Sequence, residues 1–278
     1  MKLAFSSNAF KNYNLRDAVI SISELGFEGI EIMADIPHAY PPSLTDNDIT
    51  ALAEVIREND LEVSNLNAFT LFAIGDVYHP SWIDSESNRC KRISHTRDCI
   101  DLANKIGAKN LSIEPGGPVR PNPKQRKSYE DLFHNGIVQL LRHAEEKKVK
   151  ILIEPEPGLL IENSHEFLHF IERFDSSFVK LNFDIGHFFC VGEDPSKLIS
   201  LLYDYIEHIH LADIAANRVH NHLIPGEGAI DFKSIFSSLI QLDYQGFITI
   251  ELYPYQNNPI YAAKKGYKHI IDIMDSLK

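Results

Sequence analysis

Residues 149–158 read VKILIEPEPG, and three later stretches share the design: VKLNFDIGH at 179–187, IEHIHLAD at 206–213 and GFITIELYP at 246–254. Each is a short apolar or β-branched run ending on a side chain with metal-binding chemistry, namely Glu154, Asp184, His210 and Glu251. Runs of this length, rich in Val, Ile, Leu and Phe, suit parallel strands buried on both faces. Four more lie upstream, so the predicted strands centre on 3–5, 30–33, 63–68, 110–114, 151–155, 180–184, 208–212 and 248–252. Between them the spacing predicts helices over 15–25, 46–59, 88–106, 128–147, 164–174, 196–205, 232–241 and 259–277. Asn14, Thr45 and Ser164 stand as start signals, and the glycines of ELGFEG and KIGAKN as stops. Strand then helix, eight times, is the pattern of an α/β fold of the (β/α)8 TIM-barrel type. The competing open, doubly wound sheet needs a glycine-rich phosphate turn after its first strand, and FSSNAF has none.

One domain over 1–278 is expected, since barrels of about 250 residues fold as single units. No Pro/Ser-rich linker or low-complexity tract interrupts the chain. An apolar content of 44% with 24% charged residues argues against disordered and fibrous classes. No stretch approaches the roughly 20 apolar residues of a membrane helix. The N-terminus lacks the apolar core of a signal peptide. A cytoplasmic protein without a membrane partner is therefore expected. The net charge of -12 disfavours a nucleic-acid partner. Cys90, Cys99 and Cys190 are odd in number and without metal-type spacing, which fits reduced thiols. The polar, Pro-containing stretches 34–45, 72–87 and 115–127 read as long loops after strands two, three and four. Loops of such length usually carry function.

In a barrel the C-terminal strand ends converge on one pocket. Here they carry Glu31, Asn67, Glu114, Glu154, Asp184 with His187, His210 with Asp213, and Glu251. So many ionisable groups aimed at one cavity repel one another unless a cation sits among them. Carboxylates with one imidazole suit a divalent ion, with Mn²⁺ the expected one and Mg²⁺, Co²⁺ or Zn²⁺ the alternatives. Any single acid also reads plainly as an ion pair or a cap; four at equivalent positions after apolar strands favour the metal. No serine nucleophile elbow, P-loop or dinucleotide fingerprint is present. Phe69, Phe72, Tyr78 and Trp82, in or beside the third loop, are candidates for an aromatic pocket wall.

LGFEGIEI (25–32), IEPEPG (153–158), DIGH (184–187), HIHLAD (208–213), PGEGAIDF (225–232) and ITIEL (248–252) follow one another in an order that resembles the xylose isomerase-like TIM-barrel superfamily. That group includes sugar phosphate isomerases and epimerases, ketose 3-epimerases, inosose isomerases and dehydratases, and endonuclease IV. The resemblance runs from strand one to strand eight. It implies a single metal held by Glu154, Asp184, His210 and Glu251, in a sugar or sugar phosphate isomerase or epimerase. Glu154 and Glu251 would also be the acid/base pair. One takes a proton from the carbon beside the carbonyl, an ene-diolate forms, and the other returns a proton from the opposite face. The implied substrate is a small sugar, sugar phosphate or cyclic polyol, and homodimers or homotetramers are the usual assemblies.

The resemblance also implies that His187 contacts substrate oxygens. His222, four residues before Gly226, stands where ketose epimerases typically place a substrate-binding arginine, and Arg218 is the nearby candidate to replace it. Glu156 and Asn67 complete the expected substrate contacts. Two other activities remain open. An inosose-type dehydratase would use the same enolate but expel a hydroxyl, with His187 or His222 as the acid. An endonuclease IV-like phosphodiesterase would use His187, His220 and His222 as a second metal site, matching that enzyme's third ligand and its Asp-x-His pair. Against the nuclease stand Asn67 and Glu114, where it supplies histidines.

Overall fold

The computed structural model describes residues 1–119 and 123–277. Eight strands close into a barrel in sequence order: β1 (Lys2–Ser6), β2 (Gly29–Met33), β3 (Glu62–Asn67), β4 (Asn110–Ile113), β5 (Lys150–Ile153), β6 (Val179–Asp184), β7 (Ile206–Leu211) and β8 (Phe247–Ile250). Each pairs parallel with the next, and β8 returns to β1. Around them lie α1 (Leu15–Glu24), α2 (Asp46–Glu58), α3 (Glu86–Ile106), α4 (Pro123–Lys147), α5 (Ser164–Ile171), α6 (Ile185–Cys190), α7 (Pro195–Leu202), α8 (Phe232–Gln241) and α9 (Pro259–Ser276). The expected TIM barrel is the observed fold.

Helix starts follow their caps. Asn14 accepts the Asp17 N–H at 2.9 Å ahead of α1. Thr45 and Asp48 form a reciprocal capping box on α2, an arrangement of about 1 kcal/mol. α5 is capped by Asn163, one residue before the expected Ser164. α4 begins at Pro123, so the end of the expected 115–127 loop is helical, and 120–122 lie outside the described residues. The 196–205 helix stops at Leu202 and continues as a 3₁₀ turn over Tyr203–Tyr205. α6 was not expected. It starts on Asp184, whose side chain accepts the His187 N–H at 2.8 Å.

The strands are buried on both faces, but the faces differ. Leu181, Phe183, Ile209, Leu211, Ile248 and Ile250 are buried and share the apolar core with helix residues such as Phe133, Phe167, Phe188 and Phe236. The alternate residues are polar and bond across the lumen. Ser64 on β3 reaches Thr249 on β8 at 3.1 Å. His208 bridges Asn182 at 3.2 Å and Thr249 at 2.8 Å. Strands of alternating polarity thus pass as apolar runs because their outer face is so uniformly Ile, Leu and Phe, and the polar series leads up to the site.

Candidate active site

Strand register assembles the four candidate ligands. Asp184 and His210 are paired directly across β6 and β7. Glu154 follows β5 and donates its N–H to Ile113 O; Glu251 follows β8 and donates to Leu211 O. One ligand atom from each of the four lies within 4.8 Å of the others, and all four residues are buried. His210 Nδ1 is 2.9 Å from Glu154 Oε1 and 3.8 Å from an oxygen of Asp184 and of Glu251. Its Nε2 faces Glu31 at 2.5 Å. Glu31 in turn accepts from Ser6 at 2.8 Å and Asn65 at 2.7 Å. Amides hold the glutamates: Asn182 donates to Glu154 at 2.8 Å and Asn8 to Glu251 at 2.7 Å.

These residues fit a divalent cation. Asp184 gives Oδ1 to the cap of α6, and its buried Oδ2 has no hydrogen-bond partner among the described residues. A buried carboxylate oxygen left so is costly unless a cation meets it. Burial, partly opposed by the His210 charge, pushes Asp184 and Glu251 above the usual carboxylate range. Burial also works against a charge on His210, but Glu154, Glu31 and Glu251 outweigh it and keep the ring protonated well above its ordinary range. A cation of higher charge at the same point relieves the same repulsion. An imidazole whose second nitrogen is held by a carboxylate is a common arrangement at metal sites.

A cavity of about 340 Å³ opens over this cluster, lined by Glu154, Glu251, Glu156, His187, His220 and Asn67 among others. Phe69, Phe72, Tyr78 and Tyr253 add the aromatic wall. Trp82 does not belong to it and packs on Phe133 in the core, with ring centroids 5.4 Å apart. Burial raises Glu156 to about 8, against the Tyr78 hydroxyl that donates to it at 2.6 Å. His187 Nδ1 lies 2.9 Å from Pro155 O, and His222 Nδ1 2.9 Å from Glu251 O. A carbonyl only accepts, so each Nδ1 carries the hydrogen and each Nε2 is left as an acceptor. Burial holds His187 and His220 down at about 4. His187, His220 and His222 also bring their nitrogens within 4.8 Å of one another.

Several expected residues stand elsewhere. Arg218 does not line the pocket. Its φ of +61° turns the side chain aside, onto the Phe189 ring at 4.8 Å and into a separate cleft. Asp213 organises the loop after β7 by accepting from the amides of Ile214, Gly226, Gly228 and Ile230. A side chain at Gly228 would meet that carboxylate at 2.3 Å. Glu114 lies beside Arg92, with both side chains fully buried. Glu31 sits behind His210 and is not among the lining residues. His222 lies under Tyr253, with ring centroids 4.7 Å apart. Lys11, Asn8 and Met33 line the cavity without having been expected there; Asn8 and Lys11 are single side chains in a stretch with no motif around it, and Met33 follows LGFEGIEI without metal-binding or acid–base chemistry of its own.

The family described as xylose isomerase-like TIM barrel matches residues 20–277. The chain belongs to it. Among relatives of this xylose isomerase-like barrel, the inosose dehydratase of Clostridium beijerinckii is 26% identical over 288 residues, covering 94% of this chain and 90% of the relative. That of Salmonella typhimurium is 28% identical over 170 residues, covering 55% and 56%. A D-tagatose 3-epimerase-like protein superposes with a TM-score of 0.82 at 22% identity, covering 100% of this chain and 99% of the other. The IOLI protein with a binding zinc atom gives 0.81 at 19% identity, covering 99% of both. At these identities the structural likeness speaks for the fold.

Proposed function

We propose that this protein moves a proton next to the carbonyl of a small sugar, sugar phosphate or cyclic polyol ketone, as a metal-dependent isomerase or epimerase with Glu154 and Glu251 as the acid/base pair. One observation carries the reading: both carboxylates reach the same cavity, and each is held by an amide that fixes its aim. One glutamate takes the proton from the carbon beside the carbonyl, the pair of electrons moves into an ene-diolate, and the other glutamate supplies a proton to the carbon. Asn67 and Glu156 meet substrate hydroxyls, and the Nε2 atom of His187 accepts from them. A divalent ion on Glu154, Asp184, His210 and Glu251 supplies Lewis acidity toward substrate oxygens. We propose Mn²⁺, with Zn²⁺ the first alternative because of the zinc in the IOLI structure.

The inosose dehydratase relatives favour a second reading. There the same proton is removed, the C–O bond of a hydroxyl one carbon further on breaks, and the oxygen leaves as water with a proton from a pocket group that holds one, such as Glu156. The test is a panel of ketoses, ketose phosphates and inososes in deuterated water with metal-loaded protein. Deuterium at the carbon beside the carbonyl, with no loss of water, is expected for the first reading. Ultraviolet absorbance from a new enone would instead support the second. No exchange at carbon in any member of the panel sinks both. Metal analysis should find one equivalent; two would mean that His187, His220 and His222 fill as well.

A further inference from the structure

The segment from Ala68 to Ser85 joins β3 to α3 and supplies five of the fifteen described residues lining the cavity: Phe69, Thr70, Phe72, Val77 and Tyr78. A loop of this length is ordinarily among the least stable parts of a fold. Here it is tied from outside itself. Arg92, on α3 and 0% exposed, donates from Nη1 to Ala68 O at 3.1 Å and Phe69 O at 3.0 Å, and from Nε to Pro80 O at 2.7 Å. A single guanidinium therefore binds the beginning of the loop to its far end. Asp35, just beyond β2, holds the middle by accepting from Thr70 Oγ1 at 2.9 Å, Phe72 N at 2.5 Å and Ala73 N at 3.1 Å. Tyr78 then reaches Glu156 at 2.6 Å.

We infer that Arg92 is a positioning residue for the pocket: its guanidinium sets the wall 69–78 before substrate arrives, and through Tyr78 and Phe69 it governs how tightly substrate is held. A buried charge costs far more than an apolar side chain of the same volume, so filling the core is not reason enough for an arginine here. The planar fork matters, because a lysine has one point charge and cannot bridge both ends of the loop.

The kinetic arm of the test rests on the proposed proton transfer; the exchange arm does not. In the wild-type protein, the amides of Phe72, Ala73, Tyr78 and His79 should be protected from hydrogen exchange. Exchange there at the rate of an open chain overturns the inference, whatever the variants do. In Arg92→Met combined with Glu114→Gln, exchange over 68–80 should rise about tenfold or more, while the strands stay protected and metal content is unchanged. KM should rise about tenfold with kcat within about threefold. Arg92→Lys, which keeps the charge and loses the fork, should match the double variant. A wild-type KM in either variant, or a fall in kcat and metal content alongside KM, reduces Arg92 to general core support and overturns the assignment. If no substrate turns over, the exchange results decide alone.

Discussion

The two halves of the barrel do different work. At or just past the ends of β5 to β8 stand Glu154, Asp184, His210 and Glu251, four residues whose chemistry suits a cation. β1 to β4 lead into residues that aim the others. Glu31 bonds His210, Asn8 and Asn67 reach Glu251, Asp35 holds the loop after β3, and Glu114 lies 3.7 Å from the arginine that closes it. The groups proposed to react are therefore concentrated on one side, and much of what fixes their direction comes from the other. A substitution in the second half should remove chemistry; one in the first should leave chemistry intact and loosen its geometry.

The largest effect tests the first part of that division. Glu154→Gln and Glu251→Gln keep the side-chain volume and lose the base. Each should lower proton exchange at the substrate carbon by about a thousandfold or more, with the thermal midpoint little changed. Normal turnover in either variant would end the acid/base assignment. A smaller effect tests the second part. Glu31→Gln leaves Glu154, Asp184, His210 and Glu251 in place but removes the carboxylate behind His210. Metal affinity should fall by about ten- to a hundredfold, and excess metal should restore most activity. Unchanged affinity by metal titration would show that Glu31 does not orient the ring, and the two halves would no longer divide the labour in this way.

The same division explains what could be read from the sequence. Glu154, Asp184, His210 and Glu251 each close an apolar run, and a barrel sends strand ends to one place; position alone offers Glu31, Glu114 and Asp213 as well, and the family resemblance singles out the four. The aiming residues act on partners far along the chain: Arg92 on Ala68, Phe69 and Pro80, Asp35 on Thr70 and Phe72, Glu31 on His210. No spacing rule links such pairs before the chain is folded. Asp213 and Arg218 misled for a related reason. Both neighbour HIHLA in sequence, but backbone amides claim the first and a left-handed backbone turns the second away. DIGH was legible as a motif but not as a helix start, because one aspartate serves both purposes.

The smallest predicted effect concerns stability alone and lies wholly in the aiming half. Burial raises Glu114 to about 8, although Arg92 beside it favours the charged form. The unfolded chain releases that proton near pH 4.5. Between these values the folded state holds a proton that the unfolded state has lost, so the Glu114 contribution is full below about pH 4.5 and is lost as pH rises through 8. His95, held down at about 3 by burial and the Arg92 charge, acts in the opposite sense: its contribution is present above pH 6.5 and is lost as pH falls through 3. Glu114→Gln removes the first trend and leaves the second. Denaturant unfolding at pH 5, 6.5 and 8 should therefore show wild type losing stability relative to the variant as pH rises, by a few kcal/mol at most. A difference that stays constant over this range would mean that Glu114 is ionised throughout, and that Arg92 closes the loop as one member of a fully charged buried pair.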